Sequence, residues 1–472
     1  MERNLTSGSV LKNILYFSLP YLLSYFLQTL YGMADLFIIG QFNGVESITA
    51  VSIGSQVMHM LTVMIVGLAM GATVMIGQAV GAKQPQKTSE IIGNTVTLFV
   101  IVSLVATAVL LILVKPVVAV MSTPKEAVSG TISYLTICFI GIPFITAYNI
   151  ISSIFRGLGD SKSPMYFVAV ACVVNIVLDY IFIGGMNLGP AGAALGTTLA
   201  QTVSVVVSLI VMIKKKTGIS IKKNDLKLRR ETIGKVLKIG VPVALQDGFI
   251  QISFILITII ANRRGLNDAA AVGIVEKIIG VLFLVPSSML STVSALSAQN
   301  IGAGKHDRAA ATLRDAICIA VGFGLIASVV IQFLAEPAVG LFTDKENTEV
   351  IMLGGQYLRG YIWDCMFAGV HFCFSGYFCA YGKSGISFLH NFLSIVCVRV
   401  PGAYFASKLF TDTLFPMGLA APGGSLLSVV VCVIAYLCMQ KSMKSKEKAA
   451  DDEILRPEPA AESARGEIST AK

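Results

Sequence analysis

Five carboxylates, Asp35, Asp179, Asp247, Glu276 and Asp364, stand inside long runs of apolar residues. A charge at the centre of a bilayer costs roughly 2.5–3.5 kcal/mol on insertion scales, so an ionisable group in such a run is a functional candidate by default. Asn175 precedes Asp179 by one helical turn and shares its face. Thr197 and Thr198 open the next apolar run. Along ideal helices, Asp35 lies about 33 Å from the start of its segment and Asp179 about 22 Å beyond Pro164. Tilt and a proline at position 20 shorten the first climb. Asp35, Asn175, Asp179 and Thr197 are therefore expected at one depth, in the outer half of a membrane. Two carboxylates meeting there can hold one proton between them, because like charges repel strongly in a low dielectric.

The elements that must position these groups are membrane helices. Of 472 residues, 55% are hydrophobic and 13% charged, with a mean hydropathy of +0.77. A soluble domain carries roughly 25% charged residues. Runs such as 98–114 and 203–213 reach spanning length once their flanks are added. A membrane barrel would show short alternating strands instead. Polar breaks at 81–85, 157–164 and 184–190 help to divide the chain into segments. These fall near 13–40, 47–80, 91–114, 127–156, 164–185, 191–213, 233–262, 270–300, 311–335, 348–380, 385–408 and 416–440. The expected fold class is all-α: a polytopic membrane protein of twelve transmembrane helices in two pseudo-symmetric six-helix lobes. Residues 1–13 are polar, and the apolar run after them reads as a retained first helix rather than a cleaved signal. Pro20 in its interior predicts a kink. The nine cysteines form no C-x-x-C pair and read as small buried hydrophobes.

Charge placement orients the bundle. With both termini cytoplasmic, 27 of the 36 Lys and Arg residues fall on the cytoplasmic side and seven outside, leaving Lys277 and Arg399 within apolar segments. The net charge of +9 thus follows the positive-inside rule and does not call for nucleic acid. The basic stretch 214–232 reads as a cytoplasmic linker between an N-terminal lobe, 1–213, and a C-terminal lobe, 233–440. The tail 441–472 has no apolar periodicity and is expected to be disordered. The halves repeat. An offset of 221 residues places Gln78, Gly81 and Ala82 on Gln299, Gly302 and Ala303. A single gap brings Pro20 onto Pro242, and an offset of 223 places Phe155, Gly159 and Ser161 on Phe378, Gly382 and Ser384. Repeats with an even number of helices share orientation, an arrangement of transporters with a site between two lobes.

Several stretches together resemble the multidrug and toxic compound extrusion (MATE) family. They are Pro20 followed by Gln28-Thr29-Leu30-Tyr31-Gly32-Met33-Ala34-Asp35, then Gly81-Ala82-Lys83-Gln84, Arg156-Gly157-Leu158-Gly159-Asp160-Ser161-Lys162-Ser163-Pro164, the Asn175…Asp179 pair and Thr197. The resemblance covers roughly residues 5–440. It implies a secondary active antiporter that exports amphipathic, often cationic organic compounds in exchange for protons or sodium ions by alternating access. It also implies that Asp35, Asn175, Asp179 and Thr197 form the ion-coupling site. Other members of the family place a sodium site in the second lobe. Here the position aligned with their carboxylate on the tenth helix is Ala368, with Asp364 one turn away, and the seventh helix offers Asp247 and Gln251. Gln28, Tyr31, Met33, Met64, Asp247, Gln251, Glu276 and Asp364 are candidates to line the substrate cavity. Methionine suits an adaptable surface for varied apolar cations.

The remaining polar residues carry blander readings. Glu276 and Lys277 read as a neutralising pair or as cavity lining. Arg399 reads as bound to backbone carbonyls or to an acid at the lobe contact, or as meeting substrate. His59, His371 and His390 read as packed polar residues, and His306 as a loop residue. No P-loop supports ATP drive, and no H-E-x-x-H or G-x-S-x-G motif supports a membrane hydrolase, so an enzyme is not expected. The expected partners are small organic molecules and the bilayer, with coupling by H+ or Na+, no cofactor and no nucleic acid. The chain is expected as a monomer of the inner (plasma) membrane. A lipid-linked oligosaccharide flippase of the same superfamily is the alternative, and it would want a basic central cavity.

Overall fold

The computed structural model describes residues 5–215 and 222–454. Residues 216–221 of the expected linker and 455–472 of the expected tail lie outside them. Among the described residues the regular structure is helical throughout. In chain order the first lobe holds α1 (Val10–Phe42), α2 (Val45–Gly81), α3 (Pro85–Val120) and α4, a bent pair (Val128–Ile140 and Ile142–Gly157). It continues with α5 (Lys162–Asp179, prolonged by a π-helical turn, Tyr180–Gly185) and α6 (Gly189–Lys214). The second lobe holds α7 (Arg230–Asn262), α8 (Leu266–Leu282 and Leu284–Gly302), α9 (His306–Val339) and α10 (Thr348–Tyr361 and Asp364–Ala380). It closes with α11 (Ser384–Ser394, a π-helical turn Ile395–Arg399, and Val400–Leu409) and α12 (Ala420–Ile454). Among the described residues ten helices are long and apolar enough to cross a membrane, and the bent α4 supplies an eleventh. The two pieces of α10, separated by Ile362 and Trp363, trace the twelfth path. The repeat extends to backbone detail, because the fifth helix of each lobe carries a π-turn.

Within the first lobe α1 packs on α5, α5 on α6, and α4 on α2 and α3; within the second, α8 and α9 pack on α10, and α11 on α7 and α12. The lobes meet where α2 packs on α7 and α8, and α1 on α8. The turns 82–84, 158–161, 303–305 and 381–383 gather at one end of the bundle with the linker and the chain start. Lys215 pairs with Asp160 there, and Lys305 donates to the Thr6 carbonyl. This is the basic end.

The contacts that clasp the lobes concentrate toward it. A cluster of Ala69, Met70 and Ile76 with Val236, Ile239 and Ala298 crosses the seam. Lipid offers helices no hydrophobic reason to associate, so close approach through small residues and interhelical hydrogen bonds must hold them. The seam supplies both in duplicate. Gln78 donates its Nε2 to the Ala380 carbonyl at 2.8 Å, and Gln299 donates its Nε2 to the Gly157 carbonyl at 2.9 Å. A Cβ added at Gly81 would stand 2.0 Å from the Gln299 carbonyl oxygen, and one at Gly302 would stand 2.0 Å from the Gln78 carbonyl oxygen. Backbone thus lies against backbone across a pseudo-twofold axis. Toward the other end, the side chains of His59 and Lys277 are exposed.

α1 is one continuous helix through Pro20, with Ser24 Oγ donating to the Pro20 carbonyl at 2.8 Å. The described end of the linker, from Lys222, is held against the first lobe. A short turn, Lys223–Leu226, docks on α3, where Asn94 Nδ2 donates to the Asp225 carbonyl at 3.0 Å and Thr97 to that of Leu226 at 2.9 Å. Glu90 holds the entry of α7 through Arg229 and Thr232, at 2.7 and 2.9 Å. Two expectations need correction. The chain is not without structure from Lys441, because α12 runs on to Ile454. Lys, Glu and Ala in 444–450 are strong helix formers, and a helix already nucleated in the membrane propagates at little cost. Of the cysteines, Cys318, Cys397 and Cys438 are exposed rather than buried.

Gly81→Val is expected to hold the lobes apart at the basic end. A label pair at Lys87 and Asp307, both exposed there, should show a longer separation in the purified variant. An unchanged separation would mean that the seam tolerates a side chain where the structure leaves no room.

Candidate functional site

The three helices α1, α5 and α6 bring Asp35, Asn175, Asp179 and Thr197 together inside the first lobe, on the side away from the basic end. Thr197 Oγ1 donates to Asp35 Oδ2 at 3.2 Å and lies 3.1 Å from the Ala193 carbonyl. Asp179 and Asn175 face the same Asp35 carboxyl from α5. The site is dry: Asp35 is 3% exposed, Asn175 1% and Asp179 0%. It is also polar beyond its own needs. With both carboxyls charged, Asp35 Oδ1 and both Asp179 oxygens find no well-aligned donor among the described residues, although Asp179 and Asn175 lie against the Asp35 carboxyl. Buried polar atoms without partners are rare, and each needs an explanation. Two carboxylates in one such site cannot both carry charge cheaply unless a cation or a proton joins them.

Local structure makes this geometry. Asp179 is the last α-helical residue of α5, and the π-turn begins at Tyr180. A π-turn inserts an extra residue, and such turns are frequent at functional sites. Across from it stands Gly196 on α6, where a Cβ would lie 2.2 Å from Asp179 Oδ1. Only glycine lets the carboxyl press against α6. Beneath the site, Gln201 Nε2 donates to the Tyr31 hydroxyl at 3.4 Å. At the foot of α5, Asp160 accepts from the Lys162 and Ser163 amides at 3.0 Å each and pairs with Lys215. That clasp is the physical content of the Gly-Leu-Gly-Asp-Ser-Lys-Ser-Pro stretch. Burial works against the Asp160 charge, yet Lys215 and Ser163 hold its carboxyl below the usual range.

The expected cavity residues divide. Asp247 is half-buried at the seam, its Oδ2 3.0 Å from where a Gly67 Cβ would stand, and Met64 lies 3.7 Å from that of Gly248. These two, from opposite lobes, meet across the seam. Gln28 turns toward Tyr148 within its own lobe, and Tyr31 serves the carboxylate site. Gln251 is half-buried on α7. Met33 is 55% exposed, on the stripe of α1 that carries Leu30 and Phe37. Glu276 accepts from Thr258 at 3.1 Å and forms no ion pair with Lys277 among the described residues, so the neutralising pair is not seen; Lys277 stands opposite His59 instead.

Asp364 does not line the cleft. It is 1% exposed, inside the second lobe, at the break of α10. Arg399 is buried beside it and donates to the Tyr361 hydroxyl rather than to a carbonyl or an acid, its guanidinium 4.8 Å from the Phe254 ring centre. The second lobe thus buries a cation in the same region as its acid without pairing the two, and both Asp364 oxygens stay without a hydrogen bond among the described residues. Nothing in the spacing of the sequence pointed to that cluster. His371 and His390 pack ring to ring at 5.3 Å, with His390 Nε2 2.8 Å from Ser375 Oγ. His59 is exposed instead, and His306 begins α9 stacked on Tyr381. Among the described residues no group of three or more His, Cys, Asp or Glu is placed to hold a metal.

The family model described as MatE matches twice, at residues 20–181 and 242–405, once per lobe. The chain belongs to the MatE family. It is 27% identical to the probable multidrug resistance protein YoeA of Bacillus subtilis over 90% of its length and 92% of that protein's. It is 23% identical to the multidrug export protein MepA of Staphylococcus aureus over 91% and 94% of the respective chains. Among solved structures, a crystal structure of MATE in complex with MaL6 superposes with a TM-score of 0.87 at 22% identity, covering 94% of this chain and 99% of that one. An outward-facing multidrug resistance MATE family transporter gives 0.86 at 22% identity, covering 94% and 98%. The twelve-helix, two-lobed membrane fold is the MatE fold.

Gly196→Val is expected to push Asp179 out of place and destabilise the purified protein by about 1–3 kcal/mol, the usual cost of overpacking. Thermal unfolding should record a lower midpoint. A midpoint equal to that of the unaltered protein would show that the carboxyl has space to move.

Proposed function

We propose that this MatE protein exports amphipathic, often cationic organic compounds in exchange for protons or sodium ions, by alternating access of the cleft between its lobes. The observation that carries the reading is the buried Asp35–Asp179 pair, in which only Asp35 Oδ2 accepts a hydrogen bond, from Thr197, and the other three oxygens find no donor among the described residues. The kinship with YoeA and MepA supports export of varied compounds. The positive-inside rule makes the basic end cytoplasmic, with both termini there and the protein in the cell membrane. The seam is then shut on the cytoplasmic side, so the arrangement faces outward. Asp247 and Met64 at the seam suit a lipophilic cation: the first offers charge, the second an adaptable apolar contact. That acidic group favours cations over the anionic carrier lipids of a flippase.

Coupling follows from linkage. A proton entering from outside joins the Asp35–Asp179 pair, lowers its negative charge by one and changes which groups Thr197 and Asn175 can bond. α1 and α5 shift in consequence, and α1 packs on both α5 and α8, so the change reaches the seam. Ion and drug then compete because they favour different lobe arrangements, without sharing one pocket. Sodium would use the same oxygens.

Everted membrane vesicles loaded with a fluorescent organic cation test this. Asp35→Asn is expected to abolish gradient-driven export at normal membrane abundance, Asp179→Asn to impair it, and Asn175→Ala to reduce it less. Asp364→Asn should cause no comparable loss. Full activity of Asp35→Asn, or dependence on Asp364 and sodium alone, would move coupling to the second lobe and overturn the mechanism. Pro20→Ala restores the missing backbone donor of α1 and is expected to slow export; unchanged export would mean that α1 does not bend there during the cycle.

A further inference from the structure

A pocket of about 650 Å³ lies on the flank of the bundle, away from both the carboxylate site and Asp247. Leu19, Leu23 and Phe26 of α1 form one wall, Tyr166 of α5 the second, and Val281 and Leu284 at the break of α8 the third. It therefore bridges the two lobes beside Pro20. The wall residues are apolar yet open, Leu19 and Tyr166 being 60% exposed each. They belong to membrane-spanning helices, so this face meets lipid.

The mouth differs from the walls. Lys162, at the first residue of α5, lines the pocket and is exposed. Its neighbour Asp160 is taken by Lys215, and Lys162 forms no ion pair among the described residues; its ammonium stands 4.5 Å from the Tyr16 ring centre. Lys12, exposed as well, lies one turn from Tyr16 toward the basic end. Lys12, Tyr16, Leu19, Leu23 and Phe26 follow the i, i+4, i+7 spacing of a single helical stripe. The stripe passes from cation to apolar groove over about 21 Å of helix, close to the length of one acyl chain.

We propose that this pocket is a site for an anionic glycerophospholipid of the leaflet at the basic end, its phosphate between Lys162 and Lys12 and one acyl chain lying along α1 as far as the break of α8. Cations without acidic partners at the edge of the hydrocarbon attract anionic headgroups, each contributing about fivefold in affinity. Because the pocket has walls from both lobes, the bound lipid favours the arrangement in which the basic end is closed. This site is independent of the export reading, since neither lysine touches the carboxylate pair.

Full-length protein in detergent, mixed with phosphatidylglycerol or phosphatidylcholine of identical acyl chains and examined by native mass spectrometry, tests the proposal. The unaltered protein is expected to retain phosphatidylglycerol preferentially. Lys162→Gln should lower that preference about fivefold, and Leu23→Trp should abolish retention of both lipids by filling the groove. Val281→Trp, which fills it from the other lobe, repeats the test should Leu23→Trp lower the thermal midpoint. Glycerol phosphate, added as competitor, should not displace the lipid, because the chain contributes to binding. Equal retention of the two lipids, preference unchanged in Lys162→Gln, or full retention in both tryptophan variants would each show non-specific annular lipid and overturn the site.

Discussion

Two carboxylates that share one dry site must be joined by a cation or a proton, and much of the first lobe is arranged around that requirement. Asp35 and Asp179 come from helices far apart in sequence, and neither is neutralised by a basic side chain. The π-turn after Asp179, the missing side chain at Gly196 and the hydroxyl of Thr197 all serve to bring them together. Such a site is costly to leave empty of positive charge, and a site of that kind can drive a conformational cycle when its occupancy changes. The second lobe shows the contrast. There the buried Asp364 has the Arg399 guanidinium in its surroundings, but the two form no ion pair among the described residues, and Arg399 bonds Tyr361 instead.

The seam gives the cycle something to act on. Gln78 and Gln299 each reach across to a backbone carbonyl, and Gly81 and Gly302 each lie against the opposite strand of backbone. These contacts are duplicated by the pseudo-symmetry of the two lobes. The described end of the linker adds a tether: its docking on Asn94 and Thr97 ties the entry of α7 to α3 of the first lobe.

Much of this was legible in the chain. The rise of a helix is fixed at about 1.5 Å per residue, so counting from the start of each apolar run placed Asp35, Asn175, Asp179 and Thr197 at one depth. The repeat offset paired Gln78 with Gln299 and Gly81 with Gly302, although their bonds across the seam could not be read from it. What stayed hidden depends on tertiary contact. Asp364 looks like any membrane acid until its neighbour on α11 is known, and the ring partners of Arg399 come from α7 and α10. Neither π-turn has a residue signature. The helix beyond Lys441 was missed for a different reason: it has no apolar stripe, and its helical propensity carried more weight than its lack of periodicity suggested.

The central claim is that cation binding in the cleft and occupancy of the Asp35–Asp179 site are linked. Proton release on drug binding tests it most directly. Purified protein in weakly buffered detergent solution is titrated with tetraphenylphosphonium while a pH-sensitive dye reports the proton balance. The account predicts a stoichiometric release that vanishes in Asp35→Asn and persists in Asp364→Asn. No release from the unaltered protein in sodium-free solution, or equal release from Asp35→Asn, would contradict it.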